Sequence, residues 1–326
     1  MFDSKKILNI TSQEEFEKYS IEIFNYQFHN NPIYGKFCKL TGKNIINVKS
    51  SYEIPFLPIQ FFKTHKIVSS NQPIQKVFHS SGTTKNTLSK HHVIDLNLYE
   101  DCFLKIFMSF YGHPSKFNII GLLPTYLENE NSSLIYMVNH LIEKSENIDS
   151  GFYLDNFKAL KEKLLYLEKG YKKTILFGVS YALLNLIDYH KFKLDKTIII
   201  ETGGMKGNRK ELIKSELHEI LKNGFGVENI NSEYGMTELM SQAYSVKNEK
   251  FKCPSWMRIY IRESEDPMTI TTNYKSGGIN IIDLANYNSC SFIATDDIGK
   301  LDKDGNLEIL GRIDKSDQRG CSLLID

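Results

Sequence analysis

Thr197-Ile-Ile-Ile-Glu201, the loop Thr202-Gly-Gly-Met-Lys-Gly-Asn208 and a helix-patterned stretch ending before Gly224 decide the architecture of this chain. An apolar run, a glycine break and a helical period in that order form one strand–loop–helix unit. Residues 227–230 read as the next strand and lead directly into Tyr234-Gly-Met-Thr-Glu238. Working backwards, residues 75–79 read as a strand that ends in Ser80-Ser-Gly-Thr-Thr84. Asp95 then caps a helix running to about Tyr111. Strand 118–123 is followed by helix 133–144, and strand 174–177 by helix 181–190. Repeated alternation of this kind predicts an α/β fold, a mostly parallel sheet covered by helices. In such sheets the loops at the carboxyl ends of the strands form the ligand crevice. Three of the informative loops follow predicted strands.

The flanks differ. The first seventy residues look irregular apart from a helix started by the capping signal Thr11-Ser-Gln-Glu-Glu15. Pro55 and Pro58 require Ile54-Pro-Phe-Leu-Pro-Ile-Gln-Phe-Phe62 to be extended. Beyond residue 250, short strands at 256–262, 268–272, 278–284, 291–295 and 307–310, with a hairpin turn at 302–306, predict a small antiparallel subdomain.

Composition excludes several classes. The net charge is +1 with 24% charged residues, so no polybasic surface addresses nucleic acid or an anionic membrane. The N-terminus has no signal-peptide h-region and no run is long enough to span a bilayer. Five scattered cysteines, Cys38, Cys102, Cys253, Cys290 and Cys321, include no C-x-x-C pair, which argues against disulfides and structural zinc. These features fit a soluble cytoplasmic protein with reduced thiols. The 20 Phe and 18 Tyr could line an apolar tunnel, but core packing is their commoner use.

The loop at 80–84 is not a Walker A motif, since Gly82 is its only glycine and Lys85 comes too early. Consecutive hydroxyls and backbone N–H groups nevertheless offer donors to phosphate oxygens, and Lys85 and Lys90 add charge. Read by itself, the stretch is more often a Ser/Thr-rich surface turn. Thr237 and Glu238 form a pair able to hold a phosphate oxygen and a Mg²⁺ ion, or else a helix-starting turn around Gly235. Asp297, in Ala294-Thr-Asp-Asp-Ile-Gly299, can accept from two ribose hydroxyls, and Arg312, in Gly311-Arg-Ile-Asp314, can reach a phosphate or ribose oxygen. The adjacent His91 and His92 point to opposite faces of a strand and read as ordinary polar histidines.

The joint order of these motifs resembles the acyl-adenylate-forming (ANL) superfamily. Within it the chain is most similar to the LuxE-type acyl-protein synthetases, the long-chain fatty acid–protein ligases. That closer resemblance rests on the 54–63 stretch, Ser132-Ser-Leu-Ile-Tyr-Met137, Glu201-Thr-Gly-Gly-Met-Lys206, Ser232-Glu-Tyr-Gly-Met-Thr-Glu238 and Arg319-Gly-Cys-Ser-Leu323. It implies the N-terminal-domain architecture of the adenylate-forming enzymes over residues 1–310, with 250–310 as a β-rich subdomain and 311–326 as a hinge-like tail. It also implies ATP and Mg²⁺. Ser80, Ser81, Gly82, Thr83 and Thr84 would hold the β- and γ-phosphates, and Gly203, Gly204 and Tyr234 would flank the adenine. Thr237 would contact the α-phosphate, Glu238 would hold the metal, and Asp297 and Arg312 would hold the ribose.

Two departures shape the expectation. Lys85 stands where the superfamily loop has glycine, and the chain ends at Asp326, without room after Asp314 for the lysine-bearing mobile domain. Lys90, Lys206, Arg209 and Arg319 are candidates for that cation, with Lys90 placed among the catalytic residues. Cys321, five residues from the end with Arg319 close by, is the expected acyl acceptor, as in the resembling family. A small buried apolar cysteine is the alternative, and Cys290 is the second candidate acceptor. The expected function is activation of a carboxylic, fatty-type acid to acyl-AMP, transfer to Cys321, and hand-off to a protein partner such as an acyl-thioester reductase or a carrier. The alternatives are an acyl- or aryl-CoA ligase, a carrier-loading synthetase, or a non-catalytic nucleotide-binding scaffold subunit.

Overall fold

Ser12 starts the first long helix as its sequence predicts. Its hydroxyl accepts from Glu15 N at 3.1 Å while Glu15 Oε2 accepts from Ser12 N at 3.2 Å. In this computed structural model, residues 2–80, 88–124, 131–203, 212–271 and 275–312 are described. Following α1 (Ser4–Leu8), the capped helix is α2 (Gln13–Asn30), and Asn31 caps α3 (Pro32–Leu40) by accepting from Tyr34 N. The N-terminal segment is therefore more helical than its sequence suggested. The proline-bearing stretch is extended at β1 (Leu57–Pro58) and then turns into the short α4 (Phe61–Thr64).

A hairpin follows, β2 (Lys76–His79) with β3 (Lys90–Val93), and Asp95 caps α5 (Leu96–Tyr111) through Leu98 N. From there strands and helices alternate: β4 (Phe117–Leu122), α6 (Ser133–Ser145), β5 (Gly151–Tyr153), α7 (Phe157–Glu168), β6 (Lys173–Val179), α8 (Ser180–Tyr189), β7 (Thr197–Thr202) and α9 (Lys214–Phe225). β8 (Asn231–Tyr234) and β9 (Ala243–Ser245) complete a six-stranded sheet of order β5-β4-β6-β7-β8-β9, parallel except at β9. The parallel strands β4 and β6 are buried on both faces, as a helix-covered sheet requires.

The second sheet contains β10 (Met257–Arg262), β11 (Gly277–Asp283), β12 (Phe292–Leu301) and β13 (Leu307–Arg312) in antiparallel pairs. β1 joins it in parallel with β12, Leu57 opposite Ile293 and Pro58 opposite Ala294. The N-terminal proline segment is thus a strand of the C-terminal sheet, a pairing that local sequence could not reveal. Residues 268–271 contribute only a bridge between Ile270 and Arg262 rather than a full strand.

Two further boundaries moved. α9 runs through Gly224 and ends at Gly226, whose φ of +68° is the left-handed cap. Gly224 serves packing instead, because a Cβ there would lie 2.5 Å from Ile187 Cδ1. β8 lies four residues later than the apolar 227–230 pattern suggested, on the polar Asn231-Ser-Glu-Tyr234. All four of these side chains are buried and hydrogen-bonded, so specific partners override the hydrophobic pattern. The aromatic residues largely fill the core: Phe16, Phe62, Phe78, Phe103, Phe107, Phe177, Phe225, Phe251 and Phe292 are among its fully buried side chains. Each contributes roughly 1.5–3 kcal/mol by leaving water.

Candidate functional site

The β2–β3 hairpin brings the base of the hydroxyl-rich loop to the Thr237–Glu238 turn. Ser80 N donates to Ser89 O at 3.1 Å, and Ser89 N donates back to Ser80 Oγ at 3.0 Å. The Ser89 side chain lies close enough to the Glu238 carboxylate, which is 4% exposed, to favour its charged form. Burial pushes the Glu238 pKa above the usual range, while Ser89 and the charges of Arg312 and Lys63 oppose that rise. A buried carboxylate whose nearby cations act on it only through their field is a fitting ligand for a hard divalent ion. Among the described residues no group of three or more His, Cys, Asp or Glu side chains could hold a metal. Mg²⁺ is usually held by one or two carboxylates together with substrate phosphate oxygens, a role that Glu238 fits.

Tyr234, at the end of β8, faces Asp297 on β12. Its hydroxyl donates to Asp297 Oδ2 at 2.8 Å, and Arg312 Nε on β13 donates to Asp297 Oδ1 at 3.1 Å. Asp297 and Arg312 are register partners, but the arginine side chain is 78% exposed and the carboxylate only 15%. Each carboxylate oxygen keeps a lone pair for a further donor. The Tyr234 ring packs edge-on against Phe251, with centroids 5.9 Å apart, and burial raises its phenol pKa far above normal. Gly203, directly after β7, has a φ of +70°, which favours glycine, and its carbonyl accepts from Ser180 Oγ at 2.9 Å.

Behind this surface lies a polar layer absent from the sequence reading. His91 is buried, with Nδ1 2.8 Å from Thr237 O and Nε2 3.0 Å from Asn286 Oδ1. Asn286 Nδ2 donates to Glu238 O at 2.8 Å. Burial pushes the His91 pKa down to about 4, so at neutral pH the ring is uncharged and its single proton bonds only one of these two oxygens. Asp283 anchors the residues that follow. Its Oδ2 accepts from Met240 N and Ser241 N, both at 2.9 Å, and its Oδ1 from Ser241 Oγ at 2.8 Å. Burial raises the Asp283 pKa to about 6 despite these donors. One signal for His91 was present in the sequence: along a strand it shares a face with Ser89, two residues earlier. Asn286 and Asp283 carried none, because their partners are more than 40 residues away.

Lys63 was also missed. Ile59 N donates to Ala294 O at 2.9 Å, Gln60 Nε2 donates to Asp296, and the Phe62 ring meets His91 edge-on at 6.1 Å. These contacts seat α4 beside the site, where the Lys63 charge acts on Glu238.

Two buried acids lie under the ends of β7 and β8. Burial pushes the Glu201 carboxyl up, but Lys214 and His218 more than reverse this and hold it at about 2. Ser180 Oγ and Ser232 Oγ also donate to it, at 3.0 and 2.8 Å. Glu233 receives the Thr202 hydroxyl, and burial raises its pKa to about 7.

The site residues divide as follows. Ser80, Thr237, Glu238, Tyr234, Asp297 and Arg312 come together, and Gly203 stands at the neighbouring strand end. Lys90 is exposed, on the opposite face of β3 from Ser89 and His91, and is not brought to the group. Ser81, Gly82, Thr83, Thr84, Gly204 and Cys321 lie outside the described residues, as do Lys85, Lys206, Arg209 and Arg319. Burial pushes the thiols of Cys38 and Cys253 up to about 12, and those of Cys102 and Cys290 upward as well. Cys290 is fully buried and donates to Phe292 O at 3.4 Å, a packing role. No helix among the described residues is long and apolar enough to cross a membrane.

Solved structures share this fold. 2-Hydroxyisobutyryl-CoA ligase, in complex with 2-HIB-AMP and CoA in the thioesterification state, aligns with a TM-score of 0.68 at 11% identity over 97% of this chain and 74% of its own. ATP-bound MatB from Rhodopseudomonas palustris aligns at 0.53, with 15% identity over 74% of this chain and 49% of its own, so the chain spans about half of that enzyme's length. AMP-bound O-succinylbenzoate coenzyme A synthetase (MenE) from Bacillus subtilis gives 0.52, with 17% identity over 76% of this chain and 51% of its own. No curated protein is significantly similar in sequence. The family model of the LuxE acyl-protein synthetases matches residues 2–326, and the chain belongs to that family.

Proposed function

We propose that the protein activates a carboxylic acid of the fatty class with ATP and Mg²⁺, forming an acyl-adenylate, and then transfers the acyl group to Cys321. A protein partner, an acyl-thioester reductase or a carrier, takes it from there. One observation carries the reading. Ser80 and Ser89 at the hairpin base and the Thr237–Glu238 turn adjoin the Tyr234–Asp297–Arg312 cluster, so donors suited to phosphate lie beside acceptors suited to a ribose.

In the first step a carboxylate oxygen of the substrate attacks the α-phosphorus. The bond to the bridging oxygen breaks, and pyrophosphate leaves with the electron pair. Backbone N–H groups and hydroxyls of residues 80–84 bind the β- and γ-phosphates, and the Thr237 hydroxyl binds the α-phosphate. Gly203, Gly204 and Tyr234 flank the adenine, and Asp297 and Arg312 hold the ribose. Glu238 would hold Mg²⁺, which would neutralise the repulsion between polyphosphate and carboxylate. Fixed donors around the reacting phosphate stabilise the charge that develops there.

In the second step the Cys321 thiolate attacks the acyl carbon, the acyl–oxygen bond breaks, and AMP leaves. The thiol proton passes to solvent. The buried cysteines with raised pKa values are poor nucleophiles, which supports assigning the step to Cys321.

Intact mass after incubation with Mg-ATP and a panel of fatty acids tests the proposal. An acyl adduct that hydroxylamine removes is expected. Cys321→Ser should keep acid-dependent pyrophosphate exchange and lose the adduct. No adduct with any acid, together with a CoA thioester product in the Cys321→Ser protein, would move the function to CoA ligation. ATP binding without acid-stimulated exchange would leave a scaffold.

A further inference from the structure

The carbonyls of Thr237 and Glu238 are both held from behind, by side chains that the proposed chemistry does not use. His91 Nδ1 lies 2.8 Å from Thr237 O and Nε2 3.0 Å from Asn286 Oδ1, the ring's one proton bonding one of them, and Asn286 Nδ2 donates to Glu238 O at 2.8 Å. These contacts join three separate parts of the chain. His91 is on β3, two residues after Ser89, which closes the hairpin base through Ser80 and whose side chain favours the charged form of the Glu238 carboxylate. Asn286 lies in the connection from β11 to β12, the strand that carries Asp297. Both side chains are about 1% exposed, so neither can touch a nucleotide directly.

We propose that His91 and Asn286 are positioning residues: one buried strut that couples the hairpin base at Ser80 and Ser89 to the Thr237–Glu238 turn, so that the grip on phosphate and the grip on the divalent cation are set together. The coupling is reciprocal. Whatever orders the hairpin base fixes the turn through His91, and a cation that fixes Glu238 steadies the hairpin through Ser89. Buried polar networks of this kind lose more than one bond when a member is removed, because the remaining groups are stranded without water. A packing role alone, with the His91 ring edge-on to Phe62, would instead cost stability and leave the response to Mg²⁺ unchanged.

The proposal rests on the adenylation reading, and its test separates the two. Acid-dependent ATP–pyrophosphate exchange is measured across a Mg²⁺ titration for the wild type, His91→Leu, His91→Gln and Asn286→Ala, with thermal melts to confirm folding. His91→Leu and Asn286→Ala should lower kcat by about 10- to 100-fold, the scale set by a displacement of about 1 Å at a reacting centre. They should also raise the Mg²⁺ concentration for half-maximal rate, and leave the KM for the acid within about 3-fold. His91→Gln, which keeps an amide donor, should recover part of the loss. If His91→Leu does not fold, His91→Gln and Asn286→Ala decide. Folded variants with wild-type kcat and wild-type Mg²⁺ dependence would overturn the proposal. If the wild type exchanges with no acid, the adenylation reading has failed. The coupling is then read from ATP binding at low and high Mg²⁺: loss of the Mg²⁺ effect in the variants supports it, and an unchanged effect overturns it.

Discussion

The Tyr234 hydroxyl donates to Asp297 Oδ2 at 2.8 Å, across the 62 residues that lie between them and between the six-stranded and five-stranded sheets. This bond ties the end of β8 to β12 and leaves the second carboxylate oxygen to Arg312. Tyr234→Phe removes one of the two donors that aim the carboxylate. The expected result is a rise in the Kd for ATP of roughly 3- to 10-fold, the worth of one hydrogen bond of about 1 kcal/mol. Calorimetric titration with ATP would check it.

Lys63 should matter although no motif reading selected it. Its charge acts on buried Glu238 from α4, which three contacts hold in place. Lys63→Met should raise the KM for Mg-ATP by roughly 3- to 10-fold, the effect of losing about 1 kcal/mol of charge interaction. Thermal stability should be nearly unchanged. Steady-state kinetics with ATP varied gives the answer.

Glu233 predicts a pH signature. Burial raises its folded pKa to about 7, from an ordinary value of 4.5. The unfolded chain therefore releases this proton first, and the stability Glu233 confers is full below 4.5 and lost as pH rises through 7. Glu233→Gln keeps the uncharged form at every pH. Its stability relative to wild type should increase between pH 4.5 and 8, approaching roughly 3 kcal/mol at the upper end by linkage. Urea unfolding at several pH values measures the difference, and a pH-independent difference would remove Glu233 as the source.

Gly224 is a packing position rather than a helix stop. A Cβ there would meet Ile187 at 2.5 Å. Gly224→Ala should cost about 1–3 kcal/mol by overpacking, while ATP affinity stays at the wild-type value. Denaturant melts and nucleotide titration together separate the two effects.

The legible part of this protein was local. Strand–loop–helix units around Thr197, Thr174 and Asn118, the Asp95 and Ser12 caps, and the order of the nucleotide motifs all follow from short-range pattern, and the principal sheet formed as expected. Features set by distant partners were not legible. β8 carries polar residues whose burial makes sense only beside Thr202, Glu201, Tyr111 and Asp297. β1 finds its partner strand more than 200 residues away. In the candidate site the motif residues Tyr234, Thr237, Glu238, Asp297 and Arg312 were readable, whereas Asn286 and Asp283, which act through distant backbone groups, leave no spacing to recognise. The alternation of β3 also reverses the expectation for two neighbours: His91, read as an ordinary polar histidine, turns inward, and Lys90, read as a catalytic cation, turns outward.

The central claim, that this site joins ATP to a carboxylic acid with Glu238 holding the metal, is tested most directly by acid-dependent ATP–pyrophosphate exchange in wild type and Glu238→Gln, with Mg²⁺ present and chelated. Exchange should need both a fatty acid and Mg²⁺ and should fall by about 10²- to 10³-fold in Glu238→Gln, the cost of removing one electrostatic element from a reacting centre. Exchange at the wild-type rate in Glu238→Gln, or ATP binding with no exchange for any acid in the panel, would contradict it.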